Sequence, residues 1–395
     1  MRILLIHNYY KQAGGEDTVF HQEAALLQEH GHEVEQLTFS NNDVKTKRQK
    51  LQAALGVVHN MQSARIIKEK LEQFKPDVVH VHNFFPLVSP AVFDVCYKAG
   101  VPVVMTLHNY RLICPSALLH YNGKVQLSNV HKIFPIKPIL QGVYRGSKIE
   151  TASVVLTTGL HKLLGTWQKK VTKFISLTPG ASDLFLHSSL KIKPDQLVVK
   201  PNFTADIGIG ANVRDKYVLY IGRLTQEKGI ETLLKAHTLK PFPLKIVGGG
   251  PLQEHVAAYA AANSSTVEYV GYRKREEAME LLKNAEALVF PSEWFETFGM
   301  TVVEAFSTAT PVLAANIGGA AHLVQHEYNG LLYTPGNAAE LREQVQKIQH
   351  NVSYARELGT NARKSYEAKY TPEVNYALLL KIYQDSIAQT QKALQ

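Results

Sequence analysis

Cysteine is nearly absent: Cys96 and Cys114 are the only two in 395 residues, and no pair has metal-ligand spacing. That argues against a disulfide framework or a zinc ribbon and fits a reducing compartment. Long apolar runs are missing too. No stretch approaches the ~20 apolar residues of a membrane-spanning helix. The N-terminal run Ile3–Ile6 is too short for a signal-peptide core, and no small-residue cleavage site follows it. The expectation is a cytoplasmic protein, soluble or peripheral on the inner face of the membrane. Short-period repeats and low-complexity tracts are lacking as well.

What is present is the composition of a globular protein, with 45% hydrophobic and 19% charged residues. The length suits two or three domains. The formal charge of +9 is uneven, because residues 1–200 hold 24 Lys and Arg against 14 Asp and Glu. An excess of cations in one half points to an anionic partner there: nucleic acid, a membrane surface or a phosphorylated substrate. Ordinary solubility charge explains it equally well.

Short β-branched runs alternate with helical patterns. Strands are expected at Arg2–Ile6, Val34–Phe39, Val78–Val81, Val103–Leu107 and Phe174–Leu177, with helices at Thr18–His30, Ala64–Phe74 and Ser182–Ser189. The rhythm restarts at Tyr217–Ile221 and continues through Leu244–Val247, Val267–Val270, Ala287–Phe290 and Val312–Ala314. Apolar strands without alternation, separated by helices, imply parallel sheets covered on both faces. The fold class is therefore α/β, with two Rossmann-like domains. The expected division is residues 1–200, a linker or hinge at 201–215, a second domain at 216–371, and a last helix at 372–395 opened by Pro372. Open sheets of this kind bind ligands beyond the carboxyl ends of their strands, so two of them would offer facing edges on a central cleft.

The strongest chemical signal is FPSEWFETFGMTVVEA, Phe290–Ala305. Glu296 falls in a loop after a strand and Glu304 in the second turn of the next helix. Between them the free amides of Gly299, Met300, Thr301 and Val302 would receive a phosphate, with Glu304 on a ribose and Glu296 on a transferred sugar. On spacing alone the plainer reading is preferred, in which Glu296 favours a helix N-terminus and Glu304 is a solvated helix residue. The second signal is GRLTQEKG, Gly222–Gly229, after the strand Tyr217–Ile221. Arg223 and Lys228 would clamp a pyrophosphate and stabilise charge on a leaving diphosphate; alone they read equally as a solvated pair.

Weaker signals sit at other strand ends. Gly249, within Gly248–Gly250, is a tight turn near a nucleotide or a purely structural turn, and Tyr272 follows a strand end where it would face the base. Gly14 and Gly15 precede the first helix, where the plainer reading is a start capped by Asp17. His108, after Val103–Leu107, would reach a sugar or an acceptor hydroxyl, and His80 and His82 read as buried structural histidines. Two basic clusters, one at Lys45, Lys47, Arg48 and Lys50, the other at Lys162, Lys169, Lys170 and Lys173 around Trp167, suit either a membrane surface or a solvated face.

Together these residues resemble the retaining family 4 glycosyltransferases of the GT-B fold, over nearly the whole chain. Phe290–Ala305 looks like that family's E-x7-E signature and GRLTQEKGI like its pyrophosphate loop. TLHNYRLICP is similar to members that assemble polysaccharides on lipid-linked acceptors. The resemblance implies a hexosyl transfer from a UDP-, GDP- or ADP-sugar, with no tightly bound cofactor and no nucleic acid. Arg223 and Lys228 would bind the diphosphate, Glu304 the ribose, and Glu296 with the Phe298–Val302 backbone the sugar and phosphate. Gly14 and Gly15 would form the first-domain loop, His108 would lie beside the anomeric centre, and the last helix would return to the first domain. No Asp-x-Asp occurs, so metal independence is implied. Residues Tyr121–Gln126 lack the cysteines that some relatives carry there, so no metal or disulfide role is carried over. The alternatives are a sugar-nucleotide epimerase or a pyridoxal-phosphate phosphorylase of the same fold, or a silent protein that binds sugar nucleotide or polyanion.

Overall fold

The computed structural model describes residues 1–10, 14–41, 56–211 and 213–394. The cluster Lys45, Lys47, Arg48 and Lys50 lies outside them. The chain divides into two compact units, one made of residues 1–121, 126–201 and 375–395, the other of 122–125 and 202–374.

In the first unit, β1 (Arg2–Tyr9), β2 (Glu33–Ser40), β3 (Val78–Val81), β4 (Val103–Thr106), β7 (Lys173–Ser176) and β8 (Leu197–Val199) form a six-stranded sheet, in the order β2-β1-β3-β4-β7-β8. All of its pairings are parallel. A separate two-stranded hairpin, β5 (His120–Tyr121) with β6 (Lys124–Val125), lies outside it. β3 and β4 are buried along their whole length, as strands covered on both faces must be. Helices start where the sequence supplies caps: the Asn60 side chain accepts from the amides of Gln62 and Ser63, and Thr178 caps the helix Pro179–Leu186 with proline in its first turn. The core joins Ile3, Leu5, Phe20, Leu27, Val104 and Ile175 to Leu379, Ile382 and Tyr383 of the C-terminal helix Pro372–Leu394.

The second unit repeats the plan. β9 (Asp215–Ile221), β10 (Leu244–Val247), β11 (Val267–Gly271), β12 (Ala285–Phe290), β13 (Val312–Ala315) and β14 (Gly330–Tyr333) run parallel in the order β11-β10-β9-β12-β13-β14. The stretch before β9 is anchored to this unit. Arg214 donates to the carbonyls of Lys283, Ala285, Thr308 and Ala309, and Arg363 grips Asp206. Among the described residues no helix is long and apolar enough to cross a membrane.

Candidate functional site

In the second sheet the strand order reverses between β9 and β12, and the ligand crevice of such sheets lies at that switch. The loops after these two strands are Gly222–Gly229 and Pro291–Gly299, and they are tied together. The Glu293 amide donates to the Glu227 carbonyl at 2.9 Å. Gly229 has φ 69°, and a Cβ there would lie 1.8 Å from the Pro291 carbonyl oxygen, so only glycine fits. Lys228 ends a 3-10 turn, Gln226–Lys228. Its Nζ donates to Glu296 Oε1 at 2.6 Å, Ser292 Oγ donates to the same oxygen at 2.5 Å, and the Trp294 ring lies 5.4 Å from the cation. Arg223 is exposed, and among the described residues its side chain has no hydrogen bond or ion pair. Among the described residues, one held cation and one free cation therefore flank the crevice.

The helix Met300–Ser307 begins at the end of the second loop, with Gly299 as its N-cap and Phe298 buried before it. The amides of Gly299, Met300 and Thr301 have no acceptor among the described residues. Val302 corrects the expectation of four free amides, because its N–H closes the first turn on the Gly299 carbonyl at 3.0 Å. Glu304 is only 6% exposed, so it is not a solvated helix residue. Its carboxylate meets Arg275 Nη1 at 2.5 Å, and Arg275 Nη2 donates to Thr204 Oγ1. Burial raises the Glu304 pKa, with Arg275 opposing.

The glycines of Gly248–Gly250 differ in what they do. A Cβ on Gly248 would lie 1.9 Å from the Gly222 carbonyl oxygen and one on Gly250 2.6 Å from that of Leu224, whereas at Gly249 the nearest atom is 3.5 Å away. Packing dictates the outer two and leaves room at the middle one. At Gly222 a Cβ would meet the Tyr220 hydroxyl at 2.9 Å. Tyr272 is exposed beyond β11, the edge strand, two strands from β9. Sequence reasoning missed Arg275 and the pair Gly318–Gly319, which holds the Glu296 loop: the Gly319 amide donates to the Glu296 carbonyl at 2.7 Å. The available signal was a glycine pair separated by two residues from the end of β13.

In the first sheet the order reverses between β1 and β3. Gly14 is the N-cap of the helix Gly15–Glu29, and a Cβ on Gly15 would meet nothing within 4 Å. Asp17 is not the cap residue. It works from the third helical position, accepting the Gly14 amide at 3.0 Å and His7 Nε2 at 2.8 Å. His108, just past β4, bonds through Nε2 to His82 Nδ1 at 3.0 Å. Burial lowers its pKa to about 3 against the opposing charge of Glu23, with His7 and Lys200 adding to the shift, so the ring is neutral.

Beneath this edge lies a buried polar network, in which Glu23 Oε2 and His82 Nε2 have no hydrogen-bond partner among the described residues. Glu23 Oε1 accepts from Lys200 Nζ at 2.6 Å, and Lys200 also donates to Asn375 Oδ1 at 3.1 Å. His80 bonds the Tyr383 hydroxyl at 2.7 Å and Thr106 Oγ1 at 2.8 Å. Glu23, His80 and His82 have donor types and spacing for a metal, but Lys200 already neutralises the carboxylate and both His80 nitrogens are bonded. Burial disfavours the Glu23 charge, yet Lys200 and His80 prevail and hold its pKa below the usual carboxylate range. Sequence reasoning also missed the neighbouring group of Glu16, Asn83, Asn109 and Arg111. Glu16 accepts from Asn83 at 3.3 Å and Asn109 at 3.4 Å, and burial pushes its pKa to about 7. Arg111 lies over the rings of Tyr144 and Phe85.

Of the second basic cluster only Lys169 is exposed. Trp167 is fully buried, Lys162 donates to the Lys132 carbonyl, Lys170 pairs with Asp94, and Lys173 donates to the Asp195 carbonyl.

The chain is similar to known glycosyltransferases. The family Glycosyl transferases group 1 matches residues 204–365, and Glycosyltransferase Family 4 matches residues 13–134. An uncharacterized glycosyltransferase of Methanocaldococcus jannaschii is 22% identical over 395 residues, 98% of each chain. O-antigen chain mannosyltransferase C of Escherichia coli is 30% identical over 164 residues, 41% of this chain and 44% of its own. Among solved structures, Anabaena HepE in complex with UDP superposes with a TM-score of 0.69, covering 97% of this chain and 100% of that one at 17% identity. That likeness shows the fold.

Proposed function

Because the chain belongs to the group 1 glycosyltransferases of the GT-B fold, we propose that it moves a sugar from a nucleoside-diphosphate donor to an acceptor hydroxyl with retention of anomeric configuration. The observation that carries this reading is the meeting, at the switch point of the second sheet, of two cations, three amides without an acceptor among the described residues and a buried carboxylate.

The donor binds in the second unit. Arg223 and Lys228 hold the diphosphate, with the amides of Gly299, Met300 and Thr301 receiving a phosphate at the helix N-terminus. Glu304 takes the ribose hydroxyls and shares them with Arg275. Glu296, kept in place by Lys228 and Ser292, takes hydroxyls of the transferred sugar. Gly249 lets the nucleotide approach the backbone, and Tyr272 faces the base. Uridine diphosphate is the favoured leaving group, since HepE was crystallised with UDP.

The acceptor belongs to the first unit, where Gly15 leaves open space and His108 is a neutral hydrogen-bonding group. A glycan or lipid-linked intermediate of polysaccharide assembly fits the likeness to an O-antigen mannosyltransferase. The bond from the anomeric carbon to the diphosphate oxygen breaks, the acceptor oxygen bonds to that carbon on the same face, and the leaving phosphate takes the acceptor proton. Positive charge from Arg223 and Lys228 stabilises the diphosphate as it departs, so a dedicated metal is not required by this scheme.

The test is nucleotide release from UDP-, GDP- and ADP-sugars, with and without lipid extract, followed by NMR of the product anomer. Acceptor-dependent release from one donor with an unchanged anomeric configuration supports the proposal. Inverted product overturns retention, a changed donor sugar without release makes the protein an epimerase, and no turnover of any donor makes it a silent binder.

A further inference from the structure

We propose that the first unit docks on an anionic lipid bilayer through an apolar face formed by the helices Ile136–Gln141 and Lys148–Leu163. The longer helix buries Thr151, Val154, Val155 and Thr158 on one side. Its opposite side carries Ile149, Leu156 and Leu163 at seven-residue intervals, which places them in one row about 21 Å long at 1.5 Å per residue. The shorter helix packs against it and adds Ile136 and Leu140, one turn apart. These five residues are 54–79% exposed. A surface helix normally turns polar residues to water, and a contiguous exposed apolar row marks a contact with something else.

Charge identifies the occupant. Residues 132–150, which hold the shorter helix and the start of the longer one, contain four Lys and Arg and a single acidic residue, Glu150. Lys132, Lys137, Arg145 and Lys148 are exposed on or beside the two helices, and Glu150 lies 3.5 Å from Arg145. A second copy of this chain would bring the same cations against themselves. A bilayer with anionic headgroups takes both features at once: leucine and isoleucine enter the boundary between headgroups and acyl chains, while lysine and arginine reach the phosphates. The inference stands on this surface alone and does not depend on the transferase chemistry.

The test is flotation of the full chain with vesicles of phosphatidylcholine, and of an equimolar mixture with phosphatidylglycerol, without any sugar nucleotide. Wild type is expected on the anionic vesicles only, with partitioning reduced about tenfold or more in Leu156→Glu with Leu163→Glu. Lys137→Glu with Lys148→Glu should remove the preference for anionic lipid, at about fivefold per charge. Unaltered thermal melting shows that the exposed substitutions leave the fold intact. Equal partitioning of wild type and the leucine variant overturns the proposal, as does a wild type that ignores both vesicles. Self-association lost in the leucine variant, without vesicle binding, reassigns the face to a second copy.

Discussion

The two units carry the same kind of parallel sheet, yet they arrange polar groups at their carboxyl edges in opposite ways. In the second unit the charges stand on loops at the edge. Arg223 is exposed, Lys228 is shared with Glu296, and three amides lack acceptors among the described residues. In the first unit the charges lie under the edge, where Lys200 pairs with Glu23 Oε1 and His80 bonds Tyr383 and Thr106, while Glu23 Oε2 and His82 Nε2 lie 3.4 Å apart without a hydrogen bond among the described residues. The second unit's cations are accessible to a ligand, whereas the first unit's cation is buried and already paired with its carboxylate. The contrast supports the proposal that the donor is recognised in the second unit, with the first unit's network in a supporting role.

The largest effect expected from this contrast is on stability. Lys200→Met leaves the Glu23 carboxylate buried without its cation and should cost the first unit about 3–5 kcal/mol, measured by chemical denaturation. A variant as stable as wild type would show that the network is not what holds this edge. The counterpart in the second unit is Arg223→Ala with Lys228→Ala. Loss of charge on the departing diphosphate should lower turnover by roughly 10²–10³-fold with little change in melting temperature. Unfolding instead would make those cations structural and break the comparison. Glu304→Ala comes next, with a loss in donor affinity of about 1–3 kcal/mol read by calorimetry. Unaltered affinity would remove Glu304 from the site.

Per ring and per pH unit, the smallest effect is on pH dependence. His80, His82 and His108 all have lowered pKa values, chiefly from burial. Below about pH 6.5 the unfolded chain takes up protons on these rings; the native state resists, down to about pH 3 at His108. Stability is therefore complete above pH 6.5 and drains as the pH falls, by at most about 1.4 kcal/mol per pH unit for each ring. The chain has two tryptophans, Trp167 in the first unit and Trp294 in the second. In Trp294→Phe, fluorescence reports the first unit alone. Its unfolding midpoint should fall between pH 6.5 and 4.5, and a flat profile would mean that the rings are protonated in the native state.

How much of this the sequence disclosed follows from where the residues sit along the chain. The restart at Tyr217 and the strand Val78–Val81 were legible because β-branched runs announce buried parallel strands. β8 has three residues and β14 is the short run Gly330–Tyr333 without β-branched residues, so neither stood out. The second unit's site was legible because two contiguous loops carry most of it. Arg275 escaped because it is a helix residue far from either loop, and the partial pairing of Val302 is a matter of turn geometry. The first unit's network was hidden because residues 23, 80, 82, 200, 375 and 383 meet only after the sheet forms and the last helix returns. Individually each reads as an ordinary polar residue.

The most direct measurement is calorimetric titration of UDP into wild type, Glu304→Ala and His108→Ala. The account predicts that Glu304→Ala weakens UDP binding while His108→Ala leaves it unchanged. Weakened binding in His108→Ala, with Glu304→Ala unaffected, would contradict the division of labour between the two edges.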